Sequence, residues 1–312
     1  MQARAGLKPV VIAPLEGGQL QGKGVLVENF PGVAGVTGPA IVFDMRKQAA
    51  EFGTRFLEEK VTTIDADATG KSFIVTTEKH QVVAHTIILA TGADSRWLDV
   101  AGEYQYRGGG VSSCATCDGF LFRDKPVVVI GGGDTAMEDA LVLARTSSVV
   151  TVLHRRDSFR ASHILAQRVL EHPNIQVKWN TTVVSFDGSN TTDGEPMLSS
   201  VKVRNVNTLE EEDLAVEGAF VAIGHDPNTK YMKEGLLDMD QGGYVITQPD
   251  TCKTSVPGVF AAGDVADRVY RQAITSAGSG AMAALDAERW LSESGLTFDV
   301  EVDAAGGATA AA

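Results

Sequence analysis

A chain of 312 residues that is 44% hydrophobic can build two ordinary domains, each with its own core. Its net charge of −13 argues against nucleic acid as a partner, because phosphate-backbone binding needs a basic surface. No apolar run approaches the roughly 20 residues of a membrane helix, "MQARAGLKPV" lacks an apolar signal core, and three cysteines do not make a secreted disulfide framework. A reducing, cytoplasmic setting is expected, or an organelle if the native chain begins with a longer, targeting segment.

In chain order, short β-branched runs alternate with helical stretches: "PVVIAP" (9–14), "TIILATGAD" (86–94), "PVVVIGGG" (126–133), "VVTVLH" (149–154), "GAFVAIGH" (218–225) and "GVFAAGD" (258–264). Runs buried on both faces and closed by glycine or a charge are typical of parallel strands in doubly wound sheets. Residues 175–222 read as meander-like strands, 272–293 as one long helix, and the tail 296–312 as unstructured.

The first two cysteines stand two residues apart in "SSCATCDGF" (112–120), with Asp118 behind Cys117. Such a pair serves as a metal site, a staple or a redox dithiol. Zinc needs four ligands, and only Cys252 remains among the cysteines, with no HxxxH among six histidines. Cys252 reads as a small strand or turn residue. His225, after "VAIG", reads as a strand-end residue ordering a domain crossing.

Directly downstream, Gly131, Gly133 and Ala136 fit G-x-G-x-x-A between a strand (126–130) and a helix opening with Asp134 and Thr135. The first glycine permits the turn, the second admits a pyrophosphate, and the small third residue lets helix and strand pack. Phosphates there meet the free N–H groups of the helix start. The next strand ends in His154, Arg155 and Arg156, with Arg160 further on, where an NAD site carries a carboxylate. Arginine forks bind a dianionic phosphate and a carboxylate repels it, so the pattern selects NADPH.

Two further strands end in small residues, one at Thr91 and Gly92, the other at Gly263 with Asp264 behind it. A carboxylate there suits the ribityl hydroxyls of a flavin. Arg271, Gln272 and Ala273 open the long helix, whose positive end would stabilise charge on a reduced flavin ring. Two such strand ends flanking a nucleotide unit suggest a second site split around an inserted domain.

"CATCDGF", "GGGDTA", "HRRDSFR", "VAIGHDPN" and "GVFAAGDVADRVYRQAITSAGSG", in this order, closely resemble the low-molecular-weight NADPH-dependent thioredoxin reductases over about residues 3–293. The resemblance implies an α/β chain with two Rossmann-like, three-layer dinucleotide-binding domains. The FAD domain (1–97 and 227–295) would be interrupted by the NADPH domain (98–226), in a homodimer that passes electrons through FAD to thioredoxin. It implies Cys114 and Cys117 as the redox pair, Asp118 as its acid–base group, and Gly17, Gly18, Gln19, Leu20, Asn29 and the 264–273 segment as flavin lining. By the same analogy Cys117 faces the flavin and Cys114 attacks the partner.

Two departures stand out. The family opens with a strand and GxGxxG turn for the FAD pyrophosphate, whereas this sequence starts at the end of the following helix, so an incomplete chain is expected. Where relatives carry an arginine five residues before the first cysteine, this chain has Gly109, with Arg107 nearby.

The dithiol and the NADPH site share one domain and must both approach one flavin, which predicts hinges near 95–108 and 224–228. "GFLF" (119–122) is either a docking patch or core packing of Phe120 and Phe122. Alternative readings are the reductase of another disulfide or peroxiredoxin system, and a non-enzymatic NADPH-binding remnant without flavin.

Overall fold

A computed structural model describes residues 1–21, 26–33, 35–67, 71–233, 235–296 and 301–304. The chain forms two compact units, one of Met1–Gln21, Leu26–Asp94 and Asp226–Ala312, the other including Ser95–His225. The crossings fall at 94/95 and 225/226, slightly before the 97/98 and 226/227 read from the sequence. The first differs because half-buried Trp97 and Leu98 pack into a core of the Ser95–His225 unit. Among the described residues no helix is long and apolar enough to cross a membrane.

In the Ser95–His225 unit, five parallel strands run in the order Val111–Ser112, Gly218–Val221, Pro126–Ile130, Val149–Leu153 and Ile175–Lys178. The apolar run 127–130 is buried on both faces by the period of two along a strand. Val127 and Val129 join Ala136, Met137, Ala140 and Leu143 of the helix Asp134–Leu143. Val128 and Ile130 join Phe186, Val201 and Val203 of an antiparallel sheet. Helices, parallel sheet and antiparallel sheet therefore make three layers.

That antiparallel sheet contains Thr181–Asn190, Pro196–Asn205 and Glu211–Ala215. The expected meander from 175 is thus corrected at its start. Ile175–Lys178 extends the parallel sheet, because Ile175 and Val177 pack with Val169 of the helix His163–Leu170.

The segment read as a hinge at 95–108 carries local contacts from Trp97 onwards. Buried Glu103 accepts the amides of Leu98 and Asp99 at 2.9 and 2.7 Å, and the Phe186 amide donates to the Ala101 carbonyl at 2.9 Å. Arg107 stacks over the Trp97 ring at 3.7 Å.

In the other unit, Val10–Ile12 pairs in parallel with Arg55–Leu57, and Ile87–Leu89 with Val259–Ala261. An antiparallel meander, Val61–Ala66, Phe73–Thr77 and His80–Ala84, buries Ile64, Phe73, Val75 and Val82 against Leu89 and Val259. The long helix Ala273–Ser294 starts one residue later than expected because Gln272 is its N-cap, in a reciprocal capping box with Thr275. The tail expectation is corrected in part: Glu301–Ala304 adds an antiparallel strand to the open edge of His80–Ala84. The rest of the tail, 297–300 and 305–312, lies outside the described residues.

Candidate active site

Cys114 and Cys117 are joined as a disulfide. Cys114 caps the short helix Ala115–Asp118, and its Sγ accepts the Cys117 amide at 3.2 Å. The same N–H stabilises negative charge when the bond opens and Cys114 becomes a thiolate. Asp118 is largely shielded from solvent, and burial pushes its carboxyl above the ordinary range, partly offset by a hydrogen bond from Ser112. Ser112 Oγ donates to Asp118 Oδ2 at 2.5 Å and accepts the Cys114 amide at 3.0 Å. Ser112 thus ties acid to dithiol, a role the sequence reading missed although the residue stands inside the quoted motif.

The "GFLF" segment divides between its two readings. Phe122 is buried, edge-on to Phe220 with centroids 5.4 Å apart, while Phe120 and Leu121 are each 49% exposed. Gly109 has a steric origin: a Cβ there would lie 1.9 Å from the Pro196 carbonyl oxygen, so no arginine fits this backbone. Arg107 does not replace it, being held between the Trp97 and Tyr104 rings beside Glu103.

Fourteen residues beyond Cys117 the glycine turn begins at Gly131. A Cβ on Gly131 would meet the Ala222 carbonyl at 2.3 Å and the Ala136 methyl at 2.7 Å, the close helix–strand approach that the motif's small residues permit. Around Gly133 a Cβ would meet nothing within 4 Å, leaving room at the helix start for a pyrophosphate. Asp134 is turned to another use, its Oδ1 accepting the Ser162 amide at 2.7 Å. Thr135 is half-buried on the first helical turn.

Arg155, Arg156 and Arg160 are exposed, and none has a carboxylate within ion-pair distance among the described residues. In so acidic a chain, three unpaired guanidiniums in six residues fit a phosphomonoester. His154 is placed differently from its arginine neighbours. It is buried beneath the turn, with its ring 2.2 Å from where a Gly132 Cβ would sit, and burial lowers its pKa. A neutral ring under the turn supports the backbone and adds no cation to the phosphate site.

In the other unit, the expected flavin residues are brought together in pairs from distant segments. Gln19 Nε2 donates to the Ala93 carbonyl at 2.7 Å, joining the Gly17–Leu20 segment to the strand end at Thr91 and Gly92. Asn29 Nδ2 donates to Gln272 Oε1 at 3.1 Å. Thr91 Oγ1 donates to the Asn228 carbonyl at 2.8 Å. Gly17 and Gly18 lie exposed, and half-buried Leu20 packs its backbone against Gly38.

Asp264 is raised above the ordinary carboxylate range chiefly by burial, and its Oδ1 accepts from Ser276 at 3.0 Å. Its other oxygen remains for a donor such as a ribityl hydroxyl, so this donor set fits a flavin. The Gly263 amide donates to Ser279 Oγ at 2.9 Å.

Asp267, overlooked in sequence, accepts the amides of Val269, Tyr270 and Arg271 at 2.8–3.1 Å and so shapes the approach to Gln272 and Ala273. Its signal was an Asx-turn carboxylate just before a helix cap. Buried Cys252 donates to the Ser279 carbonyl at 3.3 Å, and burial raises its pKa. Among the described residues no cluster could hold a metal ion.

A disulfide beside a buried acid, on a nucleotide-type sheet with an arginine-rich strand end, defines a pyridine-nucleotide disulfide oxidoreductase. The chain belongs to the pyridine nucleotide-disulphide oxidoreductase family, whose pattern matches residues 2–280. It is 48% identical over 309 residues to Thioredoxin reductase 1, mitochondrial, of Arabidopsis thaliana, spanning 94% of this chain and 80% of that one. It is 46% identical to Thioredoxin reductase of Rickettsia felis, over 93% of each chain. In three dimensions it resembles thioredoxin reductase from Streptococcus pyogenes, with a TM-score of 0.87 and 36% identity over 94% and 92% of the two chains. The fold is the two-domain Rossmann-type architecture, and the cofactors of this family are FAD and NADPH.

Proposed function

We infer that the chain is an NADPH-dependent thioredoxin-disulfide reductase, with Cys114 and Cys117 as its redox pair and Asp118 as their proton carrier. The observation that carries this reading is the Cys114–Cys117 disulfide coupled through Ser112 to the buried Asp118. Relatives at 46–48% identity that bear the thioredoxin reductase name support the substrate. We assign Gly131, Gly133, Thr135 and Ala136 to the NADPH pyrophosphate, with Asp134 bracing the loop, and Arg155, Arg156 and Arg160 to the 2′-phosphate. The flavin is assigned to Gly17–Leu20, Asn29, Thr91, Gly92, Gly263, Asp264 and Arg271–Ala273.

When bound, FAD reduced by NADPH would supply the electron pair that opens the disulfide. Cys117 Sγ receives it, the S–S bond breaks, and Cys114 leaves as a thiolate steadied by the Cys117 amide 3.2 Å away. Asp118, raised by burial, gives the Cys117 sulfur the proton it requires and takes it back when the disulfide re-forms. The Cys114 thiolate attacks the thioredoxin disulfide, giving a mixed disulfide and one free partner thiolate. Cys117, deprotonated, then attacks Cys114, releasing the second partner sulfur and restoring the Cys114–Cys117 bond. Exposed Phe120 and Leu121, adjoining the pair, give thioredoxin an apolar seat.

We also propose a homodimer in the cytoplasm. Ile274, Met282 and Leu285 fall on one face of the helix Ala273–Ser294 and are exposed, as are Val269 and Tyr270 before it, an apolar stripe suited to a second copy. The low cysteine count favours a reducing compartment.

The decisive test is Cys117→Ser. We expect loss of thioredoxin reduction while NADPH still bleaches the flavin. Normal thioredoxin turnover by this variant would overturn the dithiol mechanism, and purified full-length protein without a flavin spectrum would overturn the flavoenzyme reading.

A further inference from the structure

Resting on the assignment of Arg155, Arg156 and Arg160 to a 2′-phosphate, we infer that Trp179 and Phe159 are positioning residues that set the preference for NADPH over NADH. Three flexible arginines on a loop bind a phosphomonoester tightly only when the loop is already in place. Its two ends are fastened by the backbone. On one side His154 donates to Lys178, Thr181 to His154, and Asn180 to Arg156, at 3.0, 2.9 and 3.1 Å. On the other, the amides of Arg160 and Ala161 donate to the Gly132 carbonyl at 2.8 and 3.2 Å.

Between these fastenings the Ser158 carbonyl accepts from His154 Nε2 at 3.0 Å, and Phe159 is held by rings. Phe159 lies 4.4 Å from Trp179, and His154 lies 5.5 and 6.1 Å from the two. A cavity of about 320 Å³ opens beside the pair, so the loop is not backed there by a filled core. Asp157 accepts the Ser158 hydroxyl at 3.2 Å and leaves the guanidiniums unopposed. Trp179 follows the edge strand Ile175–Lys178, outside the glycine motif and the arginine run. Removing the indole takes away the closest ring partner of Phe159, loosens residues 157–159 about the remaining His154–Ser158 bond, spreads the guanidiniums, and leaves the turn at 131–136 intact.

The test compares adenosine 2′,5′-bisphosphate with ADP by calorimetry on the flavin-loaded protein. The native protein should prefer the first. In Trp179→Ala that preference should fall about fivefold, the scale of one aromatic pair, with ADP affinity and flavin content unchanged. Trp179→Phe should restore most of it, and Phe159→Leu should repeat the loss if Trp179→Ala folds poorly. An unchanged preference, or an equal loss for both ligands, overturns the inference alone. A native protein with no preference overturns the NADPH assignment beneath it.

Discussion

The two nucleotide regions are built on opposite plans. The one in Ser95–His225 is a continuous strand, turn and helix, fixed by contacts between main chain and small side chains, such as Gly131 against Ala222 and Ala136. The proposed flavin region is gathered from segments up to 243 residues apart and held by polar contacts such as Asn29 to Gln272. A plan of the first kind fails all at once when one atom is added. A plan of the second kind loosens one hydrogen bond at a time.

The steepest contrast comes from Gly132→Val. Its Cβ would stand 2.2 Å from the His154 ring, which is buried and cannot retreat. We expect about 3 kcal/mol of destabilisation in urea denaturation, whereas Gly18→Ala, with nothing within 4 Å, should lose only the roughly 1–2 kcal/mol of its left-handed backbone. Equal losses would erase the distinction.

Next in size, Arg156→Ala should weaken adenosine 2′,5′-bisphosphate by about thirtyfold, the worth of a charge-assisted contact, and barely alter ADP. Loss of both ligands alike would place this arginine outside the 2′-phosphate site. Smaller still, Asn29→Ala and Gln19→Ala, which lose their bonds to Gln272 and to the Ala93 carbonyl, should each cost about 1 kcal/mol and should add in the double variant. A strong coupling energy in thermal melts would mean that the flavin segments form one cooperative unit after all.

The gentlest probe is Asp118→Asn. Burial raises the native pKa above the unfolded one, so ionised Asp118 disfavours folding and this penalty grows as pH rises through the native pKa. The amide should therefore raise the melting temperature near neutral pH, with the gain vanishing below the ordinary carboxylate range. A gain that persists in acid would require another cause.

The contrast also explains what was legible in the sequence. Gly131, Gly133 and Ala136 act through neighbours a few residues away, so their spacing alone carries the motif. Ile130 and Val129 read as doubly buried because one layer covers each face. By contrast, neither Asn29 nor Gln272 carries any local sign that they meet, and Gly109 is explained only by the distant Pro196 carbonyl. His154 misled for the same reason: beside two arginines it looks cationic, yet the fold turns it inward while they face water.

Cys252 has a quieter consequence. An enzyme that trades disulfides with another protein must keep its own third sulfur out of the exchange. Here the sulfur is buried, committed to the Ser279 carbonyl, and held as the thiol by a raised pKa. Native alkylation after reduction should therefore label two sulfurs and leave the third silent until the chain unfolds, so that the count of reactive thiols doubles as a measure of folding.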